Sequence, residues 1–173
     1  MIDELTSRQG TWLSRMIDPR RIGIAGHSIG GAAAAATMVI DGRVRAGVDL
    51  DGDFYASPAG AGLGRRPFMM LGAESTHSPK SIGTDWPDAW GHLNGWKRWL
   101  TATGAEHYSF TDLPYLAGQL GLSDPAVPLS AERGWSITRD YVAAFFDLHF
   151  RGISQPLLDG PTTSHPEIAF RQP

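Results

Sequence analysis

The chain contains no cysteine, which removes disulfides, thiolate nucleophiles and cysteine-ligated zinc from consideration. It has no apolar run approaching the roughly 20 residues of a membrane-spanning helix. Charge of one sign is also scarce in excess: 15 Lys and Arg stand against 18 Asp and Glu, for a net charge of -3. The basic residues are scattered, so no nucleic-acid-binding surface is indicated. The opening residues, Met1-Ile2-Asp3-Glu4-Leu5, are acidic and lack the positive region and apolar core of a signal peptide. No compartment follows from the sequence. No internal repeat and no linker divides the 173 residues, a length that suits one domain with a sizeable core.

What is present is one concentrated signal. Arg21-Ile22-Gly23-Ile24-Ala25-Gly26-His27-Ser28-Ile29-Gly30-Gly31, followed by a run of alanines, reads as a short apolar strand, a tight turn and an immediate helix. Gly26-His27-Ser28-Ile29-Gly30 is a G-x-S-x-G nucleophile elbow. Such an elbow holds its serine on a strained strand-to-helix turn so that the hydroxyl projects clear of the sheet. Glycines flank the serine where side chains are expected to clash with close backbone. The helix start behind it turns N–H groups toward the site. A serine that merely caps the helix is the plain alternative.

The remaining pattern predicts strands alternating with helices, and so a parallel α/β sheet. An amphipathic helix is expected from about Ile2 to Met16, ended by Asp18-Pro19. The elbow strand spans Ile22 to Ala25, and the next helix runs from about Gly31 to Ile40. Strands are expected at 46–50 and 67–72, the second wholly apolar as in a sheet buried on both faces. The tryptophans at 86, 90, 96 and 99 suggest a helix over 85–100 with Pro87 in its first turn. A short strand over 100–102, a loop over 104–112, a short helix after Pro114 and a last helix to about Arg151 follow. The tail, residues 152–173 with Pro156, Pro161 and Pro166, is expected to be irregular.

A serine needs a base to take its proton and a carboxylate to hold the base's tautomer. The α/β-hydrolase order is serine, then Asp or Glu, then His, on loops after later strands. Asp51 and His107 supply that order, both at the sheet's C-terminal edge. Asp49 and Asp53 compete with Asp51, which is favoured by its place at a strand end; a turn residue before Gly52 is its alternative role. His77, in a loop after a strand, remains open as the base. His92 and His149 fall in helical patterns, and His165 lies in the tail. His27 is expected to point away from the serine and to act as a packing or hydrogen-bonding partner. Phe54, Phe110 and Trp135 are candidates for an acyl pocket, although aromatic residues more often form core.

Gly26-His27-Ser28-Ile29-Gly30-Gly31, Ala46-Gly47-Val48-Asp49-Leu50-Asp51-Gly52 and Gly104-Ala105-Glu106-His107-Tyr108-Ser109-Phe110-Thr111-Asp112 together resemble the platelet-activating-factor acetylhydrolase-like carboxylesterases. These are serine enzymes of the α/β-hydrolase fold. The resemblance covers about residues 15 to 120. It implies Ser28 as nucleophile, Asp51 rather than Asp49 as the acid, and His107 as the base. It implies hydrolysis of short-acyl or lipid-derived esters, a small-molecule ester as partner, and no metal or organic cofactor. The backbone N–H of Ile29 is expected to donate to the oxyanion. A thioesterase or acyltransferase using the same residues, and a non-catalytic remnant, are the alternatives.

The family carries several strands and a second oxyanion loop before the elbow, whereas some twenty residues precede it here. The chain therefore reads as the C-terminal portion of a hydrolase domain, spanning elbow to last helix. An exposed sheet edge at its first strand, and self-association through that edge, are expected.

Overall fold

The computed structural model describes residues 2–6, 12, 16–55 and 62–172. Five strands form one mixed sheet in the order β1-β2-β3-β4-β5: β1 Ile22–His27, β2 Val44–Leu50, β3 Phe68–Ala73, β4 Lys97–Ala102 and β5 Ile168–Arg171. The first four run parallel, each beside the next in sequence, and β5 adds antiparallel to β4. Among the described residues β1 has a strand on one side only. The helices are α1 Ile2–Thr6, α2 Ile29–Ile40, α3 Glu74–His77, α4 Trp86–His92, α5 Leu113–Gln119 and α6 Ala131–Phe146, which continues as one π turn over Asp147–Arg151.

Strand period explains the two-sided core. Successive side chains leave a strand on opposite faces, so Met69 and Leu71 join one apolar cluster with Val48, Leu100, Ile137 and Phe145, under α6. Phe68 and Met70 join the other, with Ala35, Met38, Trp86 and Trp99, under α2 and α4. Every residue of β3 is buried, as its unbroken apolar sequence requires of a central parallel strand.

Three expectations change. The helix expected over 85–100 stops at His92, and Trp96 and Trp99 belong to the approach and body of β4. The chain bends at Gly95, where an added Cβ would lie 2.6 Å from the backbone of Arg65; helical spacing of tryptophans was coincidental there. The tail expected to be irregular carries a short 3-10 turn at Pro156–Leu158 and then β5. Pro156, Pro161 and Pro166 precede the strand and cost it no ladder donor, and Arg133 fastens its entrance through two bonds to the Glu167 carboxylate at 2.9 and 2.7 Å. That strand also makes the sheet mixed rather than wholly parallel. At the N-terminus the helix is seen over Ile2–Thr6; the remainder of its expected span falls largely outside the described residues. No helix among the described residues is long and apolar enough to cross a membrane.

Candidate active site

The turn between β1 and α2 sets Ser28 at φ 58° and ψ -128°, a region that a residue with a side chain adopts at a cost of about 1–3 kcal/mol. Two close approaches hold it there. A Cβ on Gly26 would come within 2.1 Å of the Gly30 carbonyl oxygen, and one on Gly52 within 2.3 Å of the Ser28 carbonyl oxygen. The expected crowding at Gly30 is absent, since its Cβ would meet nothing within 4 Å; Gly31 is the crowded position instead, against the Asp49 carboxyl. The N–H groups of Gly31 and Ala32 both donate to the Ser28 carbonyl. The N–H of Ile29, one residue nearer the turn, is among those for which a helix start offers no intrahelical partner.

Asp51 ends β2 with φ 56° and is buried. Bonds to the neighbouring strand carry past both strand ends: the Asp51 N–H donates to Leu71 O of β3, as the Ser28 N–H does to Leu50 O of β2. His107 opens a 3-10 turn, His107–Phe110, that follows β4. Ser109 is buried at the turn's third position, and its hydroxyl accepts the Glu106 N–H at 2.9 Å. Gly134 lets α6 pack closely onto that turn, for a Cβ there would lie 2.5 Å from Ser109 O.

Three side chains from three strand ends thus converge. His107 Nδ1 lies 2.7 Å from Asp51 Oδ2, and His107 Nε2 lies 3.0 Å from Ser28 Oγ. A carboxylate can only accept, so Nδ1 carries the proton and Nε2 accepts from the serine hydroxyl. The arrangement can pass a proton from Ser28 to His107 while the Asp51 charge stabilises the imidazolium. His107 has side-chain exposure of 44% against 2% for Asp51, so the carboxylate is shielded while the ring meets solvent.

The neighbours sort the alternatives. Asp49 is fully buried beneath the elbow, where its Oδ1 accepts the Gly52 N–H at 3.0 Å. Burial pushes its carboxyl well above the usual range, and the charges of Asp51, Asp53 and Asp85 add to the rise. Asp53 is raised too, chiefly by desolvation. His27 turns away from Ser28, and its Nε2 donates to the His107 carbonyl at 2.7 Å. His77, open as a base by spacing, is buried on the far side of Asp51, its Nε2 3.5 Å from Oδ1. Nothing in its local sequence signals that position.

The pocket candidates separate. Phe54 and Phe110 are buried in the two core clusters, Phe54 against Phe68. Trp135 stacks on Tyr115 with ring centres 5.5 Å apart and under the Arg139 guanidinium. None of the three lines the large cavity beside His107. That cavity, about 810 Å³, lies between the 3-10 turn, α5, the following loop and the start of α6, with His107, Tyr108, Leu113, Ala117 and Leu129 in its wall. Sequence reasoning missed it because its apolar residues come from four separate segments.

Residues 9–124 match the model of the family "Platelet-activating factor acetylhydrolase, isoform II". The chain is 32% identical over 168 residues to the "Probable 1-alkyl-2-acetylglycerophosphocholine esterase" of Arthroderma benhamiae, a match covering 87% of this chain and 43% of that protein. The solved structure of the ferulic acid esterase from Streptomyces cinnamoneus superimposes with a TM-score of 0.86 at 42% identity, over 99% of this chain and 52% of the other. The chain spans about half the length of these relatives. The agreement with that structure, at this identity, assigns the α/β-hydrolase fold.

Proposed function

This chain belongs to the platelet-activating factor acetylhydrolase isoform II family, and on that premise we propose that it carries the nucleophile, base and acid of a serine hydrolase of carboxylic esters. Ser28 Oγ attacks the ester carbonyl carbon while His107 Nε2 takes the hydroxyl proton. The oxyanion of the tetrahedral intermediate accepts from the Ile29 N–H. Collapse of the intermediate expels the alcohol, which leaves with the proton from His107. A water molecule then attacks the acyl-serine through the same histidine, and the carboxylic acid departs. Asp51 holds the His107 tautomer throughout and stabilises its charged form.

The observation that carries this reading is the unbroken relay Ser28 Oγ to His107 Nε2 at 3.0 Å and His107 Nδ1 to Asp51 Oδ2 at 2.7 Å, on an elbow whose serine is strained. The relatives' names supply the ester class: one is an acetyl ester of a glycerophosphocholine, the other a ferulic acid ester. Short-acyl and lipid-derived esters are accordingly the substrates proposed, with the cavity beside His107 as the place for one ester substituent.

The test is labelling with a fluorophosphonate and location of the adduct by mass spectrometry, together with hydrolysis of p-nitrophenyl acetate and longer acyl esters. An adduct on Ser28, and loss of at least about 10⁴-fold in activity for Ser28→Ala, are expected. An adduct elsewhere, or full activity of Ser28→Ala, overturns the proposal. Acetyl esters turned over faster than long-chain esters mark an esterase rather than a lipase.

A further inference from the structure

Asp51 turns only one carboxylate oxygen to His107. The other, Oδ1, accepts the Ala73 N–H at 2.6 Å and faces His77 Nε2 at 3.5 Å. We propose that His77 is a positioning residue for the acid and base: its Nε2–H steadies Oδ1 of Asp51 from behind, so that Oδ2 stays turned toward His107. The inference rests on the reading of Ser28, His107 and Asp51 as the reacting set.

Four observations orient the ring. His77 closes α3 and lies flat on Trp86, with ring centres 4.2 Å apart and planes 13° from parallel. Its backbone carbonyl accepts the Trp99 indole N–H at 2.7 Å. Gly72 supplies the gap between ring and carboxylate: a Cβ there would sit 2.8 Å from both His77 and Trp86 and 2.9 Å from Asp51 Oδ1. The tautomer follows from Asp51 and Thr84 together. The Thr84 hydroxyl oxygen accepts the Trp86 N–H at 3.3 Å and lies 3.3 Å from His77 Nδ1. That hydroxyl can also donate to Nδ1, and because the Asp51 carboxylate can only accept, the ring proton is placed on Nε2, facing Oδ1.

The charge state agrees. Desolvation holds the His77 imidazole below its ordinary pKa, against the opposing pull of the Asp51, Asp53 and Asp85 charges and of a hydrogen bond to the Asp51 backbone. His77 is therefore neutral at pH 7 and turns an N–H toward Asp51 without cancelling the carboxylate charge that His107 needs. Trp86 also donates its indole N–H to Gly52 O at 2.7 Å, so one aromatic ring fixes both the histidine and the loop that follows Asp51.

The experiment compares His77→Phe with His77→Gln in the 173-residue chain, reading the rate of fluorophosphonate labelling at Ser28 across pH, with thermal unfolding alongside. Phenylalanine keeps the stack on Trp86 and loses the donor; glutamine loses the stack and keeps an N–H in the place of Nε2. His77→Phe is expected to label about tenfold more slowly, with an altered pH profile, while His77→Gln stays within about threefold of the parent protein. A role in packing alone gives the reverse order. Phenylalanine labelling like the parent with an unchanged pH profile, or glutamine slower than phenylalanine, overturns the inference. Failure of the parent protein to label at Ser28 overturns the reading beneath it, and the inference with it.

Discussion

His27 Nε2 donates to the carbonyl oxygen of His107 at 2.7 Å, and the two rings lie 4.5 Å apart. The residue before the candidate nucleophile thus anchors the backbone of the candidate base, across 80 positions of sequence. The elbow and the 3-10 turn are tied together at the point where Ser28 and His107 must stay in register. A net hydrogen bond of this kind contributes about 1 kcal/mol. His27→Phe, which keeps a ring and loses the donor, is therefore expected to slow Ser28 labelling about fivefold, with Tm close to that of the parent. Equal labelling rates would show that the turn holds itself.

The two glycines of the elbow motif are expected to behave differently. Gly26→Ala forces a Cβ against the Gly30 carbonyl, and overpacking against rigid backbone costs about 1–3 kcal/mol. Gly30 lies within α2 with open space around its Cβ position. Gly30→Ala is expected to stabilise the chain by about 0.5–1 kcal/mol through helix propensity. Urea unfolding of the two variants checks the contrast, and equal destabilisation would contradict it.

The elbow was legible because strained turns admit few residue types, so Gly26, Ser28 and the alanines of α2 write their geometry into sequence. Asp51 stood out at the end of the apolar run of β2 and His107 in the loop after the last expected strand, and only the family resemblance chose them over Asp49, Asp53 and His77. The role of His77 was not legible, and for His27 a hydrogen-bonding role was legible without its partner. Their roles come from contacts across 26 and 80 positions, with Asp51 and His107, and a single chain carries no local trace of such pairs. Strand β5 escaped notice because four residues after three prolines hold too little alternation to register. Trp86, Trp90 and Trp99 misled because two elements, α4 and β4, bury them in one cluster while Trp96 packs on the other, and that shared burial imitated one helical face.

Asp49 offers a test of the charge beneath the elbow. Its Oδ2 is buried without a hydrogen-bond partner among the described residues, and desolvation raises its pKa well above the ordinary value. A carboxyl with a raised folded-state pKa binds its proton more tightly when folded. Its contribution is greatest below the unfolded value and is lost as pH rises toward the folded value. Asp49→Asn removes that proton linkage while keeping the acceptor for Gly52. The variant is expected to gain stability relative to the parent as pH increases from 5 to 9 in urea titrations. A stability difference that does not change with pH would mean that Asp49 stays ionised in the fold.

His149 carries the opposite sign. It sits on the π turn after α6, packed edge-on against Trp96 and Phe145 with ring centres 4.6 and 4.8 Å away. Its Nε2 is buried without a hydrogen-bond partner among the described residues. Desolvation, helped by the charge of Arg98, lowers its pKa from 6.5 to about 4. The unfolded chain therefore takes up a proton at this residue while the folded chain refuses it. Stability is whole above pH 6.5 and falls as pH drops from there toward 4. At about 1.4 kcal/mol per unit of pKa difference, reduced by the solvent that reaches the ring, the loss between pH 7.5 and pH 4.5 comes to about 2 kcal/mol. His149→Phe keeps the aromatic contacts and cannot titrate, so its unfolding free energy should fall less over the same interval by that amount. Urea unfolding of both proteins at the two pH values measures the difference directly. Parallel losses in the two proteins would assign the acid sensitivity to other groups and place a proton on His149 in the folded state.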